Sequence, residues 1–151
     1  MTFALSTERR THASDPDPRR SLGSAPLFVC DADGPRLLAG ACGACGKLHF
    51  PASPVCPYCA ADGAREIRVG PAGRLELYTT VLRAPPGYRG PVPYGFGVVA
   101  LDGGLSVVAR LTEADSSRLR PGLPVELVVE PLFTGDDGRP VLSYAFRPAV
   151  A

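Results

Sequence analysis

Four cysteines in two C-x-x-C pairs constrain this chain more than any other feature. Cys42-Gly43-Ala44-Cys45-Gly46 is followed, after ten intervening residues, by Cys56-Pro57-Tyr58-Cys59. Two residues between thiolates let one tight turn aim both sulfurs at a single ion. Glycine at 46 supplies the positive φ that closes such a knuckle. Two knuckles joined by a short hairpin complete a tetrahedral set of four thiolates with no open position, which is a structural site. A segment of about thirty residues buries too little apolar surface to fold alone, so the ion contributes much of its folding free energy. Zinc suits four sulfurs; iron is the alternative on ligand type. A redox dithiol needs only one such motif, so two matched pairs favour ligation. His49 lies between the knuckles but finds the shell complete, and is expected as a hairpin side chain near the surface. Lys47 is expected either beside the thiolates or simply solvated. Cys30, the odd fifth cysteine, is expected as a small buried or half-buried apolar residue.

The rest of the chain reads as β. With 151 residues, 45% of them hydrophobic, it is one ordinary domain or two small ones. Residues 1–25 hold Thr, Ser, Asp, Pro and Arg without periodicity, and are expected as a disordered or partner-ordered tail. Leu27–Cys30 is a short apolar run before a turn at Asp31–Gly34, and Arg36–Gly40 leads extended into the first pair. From Gly73 onward the pattern alternates. Strands are predicted at Leu75–Leu82, Tyr94–Leu101, Leu105–Leu111, Val125–Glu130 and Val141–Arg147. The Pro-rich segment Ala84–Pro93 cannot pair continuously and is a loop. Asp102-Gly103-Gly104 is a hairpin turn. Thr112-x-x-Asp115 signals a short helix that Arg120-Pro121-Gly122 ends. Five strands with one helix between the third and fourth is the order of an OB-fold barrel. The expected division is therefore tail 1–25, ribbon 26–66 and barrel 67–151.

Several function classes are disfavoured. Net charge is +1, from 16 basic and 15 acidic residues, and no segment forms a basic arm. Aromatic residues on the strands, including Tyr78, Tyr94, Phe96, Tyr144 and Phe146, allow base stacking on an OB barrel. A nucleic-acid module is thus the alternative reading, but its electrostatic half is missing. No apolar run reaches the length of a membrane helix. With no secretory signal pattern and cysteines in metal-type pairs, the chain reads as cytoplasmic. The two histidines are His12 in the tail and His49 in the ribbon, so the barrel holds no Ser-His or Cys-His pair. Gly95-x-Gly97 sits inside a β run with no following helix and is no phosphate loop. A self-sufficient enzyme is not expected.

Together the motifs carry a resemblance. Leu37-Leu38-Ala39-Gly40-x-Cys42-x-x-Cys45-Gly46, Phe50-Pro51, Cys56-Pro57-x-Cys59, Gly73-x-Leu75, Tyr78–Val81, Pro86-Gly87-Tyr88, Pro93-Tyr94-Gly95 and Tyr144-x-Phe146-x-Pro148 resemble a bacterial and archaeal family of thiolase-associated accessory proteins. In that family a rubredoxin-like zinc ribbon precedes an OB-fold domain. The likeness covers roughly residues 35–148. It implies structural Zn2+ on Cys42, Cys45, Cys56 and Cys59. It further implies a non-catalytic subunit of a hetero-oligomer, whose thiolase-fold partner supplies the chemistry on acyl-CoA while the barrel covers the partner's active-site channel. Pro86, Gly87, Tyr88 and Tyr94 are the candidate partner- or CoA-facing residues. The chain departs from the pattern at Ala60, where glycine is common, and in lacking a clear amphipathic N-terminal helix.

Overall fold

A computed structural model of the chain describes residues 26–150, so the expected tail, 1–25, lies outside the described residues. Nine strands and one 3-10 turn follow in order: β1 Phe28–Asp31, β2 Gly34–Ala41, β3 Leu48–His49, β4 Arg65–Val69, β5 Ala72–Val81, β6 Tyr94–Leu101, β7 Leu105–Leu111, the turn Ser116–Arg118, β8 Pro124–Thr134 and β9 Pro140–Pro148. Strands β1–β4 form one antiparallel sheet around β2. β4 crosses the expected 66/67 boundary and pairs with β2, Leu37 opposite Val69 and Ala41 opposite Arg65. Strands β5–β9 close into a barrel in the order β5-β6-β7-β9-β8. Closure removes the exposed edges that a small sheet would otherwise carry. Among the described residues no helix is long and apolar enough to cross a membrane.

One core serves both sheets. Phe28, Leu37, Ala39 and Val69 of the ribbon sheet join Leu75, Val99, Val107, Leu111, Val125, Leu127 and Phe146 of the barrel. At a second contact the Phe50 ring meets Tyr144 of β9 edge-on, centroids 5.6 Å apart. Tyr144 donates its hydroxyl to the Val108 carbonyl at 3.2 Å. The ribbon thus rests on the barrel through aromatic and aliphatic contact that neither part would bury alone.

Three local expectations are corrected. The expected helix is a single 3-10 turn, and its N-cap is Asp115, whose carboxylate accepts from the Ser117 N–H at 2.9 Å. Thr112 still belongs to the barrel seam, its N–H bonded to the Phe146 carbonyl, and the turn is capped three residues later. Strand β5 does not alternate throughout: a bulge between Leu75 and Leu77 leaves Leu75 fully buried and Leu77 66% exposed. The bulge follows from pairing, since the Leu75 N–H and C=O bond to Leu123 and Gly122. Cys30 is exposed, not buried. It shares its face of β1 with Phe28 but stands opposite Pro35, beside the turn that joins β1 to β2.

Candidate metal centre and the adjoining barrel loop

The two cysteine pairs fold as copies of one turn. The Gly46 N–H bonds to the Cys42 carbonyl at 3.0 Å, and the Ala60 N–H to the Cys56 carbonyl at 2.9 Å. The Cys42 N–H returns to the Lys47 carbonyl, and the Cys56 N–H to the Ala61 carbonyl. Gly46 takes φ 73° and Ala60 φ 60°, so the second knuckle adopts the left-handed conformation despite its side chain. Cys42 and Cys56 are buried, Cys45 and Cys59 exposed.

All four sulfurs lie within 4.8 Å of one another. Cys42 Sγ is 3.6 Å from Cys59 Sγ, and Cys45 Sγ is 3.7 Å from Cys56 Sγ. A tetrahedron with metal–sulfur bonds of ~2.3 Å sets its sulfurs about 3.8 Å apart. The donor set therefore fits a four-coordinate thiophilic ion, with Cys42, Cys45, Cys56 and Cys59 as its holders. The backbone N–H groups of Cys45 and Ala44 pull the Cys42 thiol down to about 6. The Ala61 N–H favours the Cys59 thiolate too, yet the neighbouring Cys42 sulfur and loss of solvent hold its thiol up at about 11. Four thiolates this close repel one another, and a bound dication removes that repulsion.

The surroundings correct one reading and resolve another. His49 is 3% exposed, not at the surface. It pairs with Gly40 across β2 and β3 and lies so close that a Cβ on Gly40 would fall within the ring. Its Nδ1 stands 3.2 Å from the Pro51 carbonyl, and Nε2 has no protein partner. The signal for this burial is the glycine opposite, visible only once the register is known. Lys47 is exposed, as the solvated reading expected, and its amine sits 4.9 Å from the centroid of the exposed Tyr58 ring, a contact at the surface between one knuckle and the other.

Around the barrel, the segment 82–93 is tied down. The rings of Tyr88 and Tyr94 stack with centroids 4.8 Å apart, and the Tyr88 hydroxyl donates to the Pro91 carbonyl. Tyr94 is buried beneath Tyr88, while Pro86 and Gly87 are exposed at the tip. Burial pushes the Tyr88 hydroxyl above its ordinary value, against the opposing field of Arg110. Arg89, which the sequence did not single out, anchors the segment. It donates to the Thr134 carbonyl at 3.2 Å, pairs with Asp136 at 3.1 Å and lies 4.5 Å from the Phe133 centroid. Asp136 belongs to the turn between β8 and β9, so the two loops at one end of the barrel are clasped together. Gly95 and Gly97 serve packing: a Cβ on either would collide with the carbonyl of Glu113 or of Leu77.

Four cysteines positioned for a metal in a ribbon seated on a closed barrel, with two clasped loops at the barrel's end, define a protein of the zinc-ribbon and OB-fold class. Sequence comparison identifies the lineage. Residues 31–64 match the rubredoxin-like zinc ribbon domain of ChsH2, and residues 66–130 match the C-terminal OB-fold domain of ChsH2. The chain belongs to this ChsH2-type, or DUF35, family. It is 33% identical to a DUF35 domain-containing scaffold protein of Pyrococcus furiosus, over 76% of this chain and 85% of that one. It is 32% identical to the benzoylsuccinyl-CoA thiolase subunit BbsA of Thauera aromatica, over 80% of this chain and 83% of BbsA. Among solved structures, the Ltp2-ChsH2(DUF35) aldolase matches with a TM-score of 0.59 and 26% identity, covering 76% of this chain and 86% of that one.

Proposed function

We propose that this chain is a non-catalytic accessory subunit of a thiolase-fold enzyme that acts on acyl-CoA thioesters, in thiolysis or in a retro-aldol cleavage. The observation that carries the reading is likeness across ribbon and barrel together. One relative of that extent is a subunit of a benzoylsuccinyl-CoA thiolase, and one solved structure is an aldolase. The ribbon's role is structural, with Zn2+ held by Cys42, Cys45, Cys56 and Cys59. The barrel covers and shapes the partner's acyl-CoA channel, and the loop bearing Pro86, Gly87 and Tyr88, propped by Tyr94, faces the shared site. The assembly is a hetero-oligomer of the cytoplasm. It has no use for nucleic acid, since a chain of net charge +1 offers no field for a polyanion.

Co-expression tests this. The tagged chain, produced with the thiolase-fold subunits of its own genome, is expected to co-purify with one of them in fixed stoichiometry. The complex, and neither part alone, is expected to turn over an acyl-CoA thioester. Thioester turnover by the isolated chain, or failure to retain any thiolase-fold subunit, refutes the reading.

A further inference from the structure

The outer surface of an antiparallel barrel is ordinarily polar where it meets water. Here three strands break that rule in register. Leu77 of β5, Val98 of β6 and Val108 of β7 form one row across the sheet, and Thr79, Phe96 and Arg110 the next. Leu77 is 66% exposed, Val108 54% and Phe96 39%. A third pairing, Val81 with Tyr94, carries the surface to the buried Tyr94 ring and so to Tyr88 on the clasped loop. Arg110 is the only charged side chain in these rows, and Glu130 neutralises it through a direct ion pair. The bulge at β5 is what turns Leu77 outward, so the fold itself builds this face.

We infer that the outer face of β5–β6–β7, centred on Leu77, Phe96 and Val108, is the seat of the thiolase-fold partner subunit. The inference rests on the accessory-subunit reading and adds to it the docking surface. Electrostatics choose the occupant. The charges on the face are balanced, Arg110 by its pair with Glu130 and Arg74, in the next row beside Ala100 and Ser106, by Glu76 on the same strand, so it offers no net field to a polyanion or an acidic peptide and is matched by an apolar protein surface. Continuity points the same way, because along β6 the apolar side chains of Val98 and Phe96 lead to the Tyr94–Tyr88 stack beneath the loop proposed to face the shared site. The chain's own residues 1–25 are a poor cover: their large apolar residues are Met1, Phe3, Leu5 and Leu22, set among seven charged ones.

The test uses the full chain. Leu77→Glu with Val108→Glu places two charges on the face, and Val150→Glu, at a site 90% exposed elsewhere, is the control. Calorimetry against the co-purifying thiolase-fold subunit is expected to show affinity lowered roughly 100-fold by the double variant and unchanged by the control. Hydrogen exchange on the wild-type complex is expected to show protection at 94–98 and 106–110, a readout that survives if the double variant misfolds. Wild-type affinity in the folded double variant, or no protection at those strands, overturns the docking surface and leaves the subunit reading standing. Failure of every thiolase-fold subunit to bind the wild type removes both. A wild-type dimer that the double variant dissolves gives the face to a second copy and overturns the inference. Greater exchange at these strands after deletion of 1–25 gives it to the chain's own N-terminus, with the same consequence.

Discussion

Gly46 and Ala60 hold equivalent positions in the two knuckles, and exchanging their side chains tests the ribbon's geometry with a worked sign. Both have left-handed backbone, φ 73° and φ 60°. Both donate to the carbonyl of the cysteine four residues before, at 3.0 and 2.9 Å. A Cβ on Gly46 meets nothing within 4 Å, so Gly46→Ala carries no steric cost and reports the backbone alone. An L-residue in this conformation costs roughly 1–2 kcal/mol. Against that, alanine restricts the unfolded chain and returns about 0.4–1 kcal/mol. Gly46→Ala should therefore destabilise by about 1 kcal/mol, and Ala60→Gly should stabilise by about the same amount. The double exchange should come close to wild type, since the two sites do not touch. Thermal unfolding of the zinc-loaded protein at fixed free zinc reads these differences, at roughly 2–4 °C per kcal/mol. Loss of stability in Ala60→Gly would show that the second knuckle is not left-handed. A loss above about 3 kcal/mol in Gly46→Ala would show that the glycine does more than permit a turn.

The contacts already described carry further expected outcomes. Phe146→Ala empties a fully buried site at the barrel seam and should cost about 3–5 kcal/mol in denaturant unfolding; a cost below 1 kcal/mol would mean the seam is not packed. Tyr144→Phe keeps the edge-on contact with Phe50 and loses one exposed hydrogen bond, so it should cost at most about 1 kcal/mol, whereas Phe50→Ala should cost about 3 kcal/mol and loosen the ribbon's seat by hydrogen exchange. Cys56→Ser should abolish stoichiometric metal in native mass spectrometry and unfold the ribbon, and acidification should release metal from the wild type, because protons compete for thiolates whose affinity rises with deprotonation; retention of one ion per chain in Cys56→Ser would refute a four-thiolate site.

What the sequence disclosed and what it withheld divide along local and non-local physics. The strands Tyr94–Leu101 and Leu105–Leu111 were legible to the residue, because alternation and the Asp102-Gly103-Gly104 turn are local signals. The cysteine knuckles were legible because ligand spacing is itself geometric. Arg89 was not, since its partners Phe133, Thr134 and Asp136 stand more than forty residues away and nothing near Arg89 announces them. His49 was misplaced for the same reason: only the pairing of β2 with β3 reveals that Gly40 leaves room for the ring.

The bulge in β5 shows how one such non-local event reaches function. Read locally, Leu75 and Leu77 belong to the same apolar face. Pairing Leu75 with the segment at Gly122 and Leu123 inserts an extra residue, and Leu77 turns from the core to the water. Glycine at 97 makes room for the displaced strand, since any side chain there would strike the Leu77 carbonyl. Exposing a leucine in this way wins nothing for the folded monomer and forfeits about 1.5–3 kcal/mol of burial. A single exposed leucine is ordinary, but one aligned with Val98, Val108 and Phe96 across three strands forms a surface. The burial missing from the isolated chain becomes available on association, which is the economy expected of a subunit rather than of a free-standing domain.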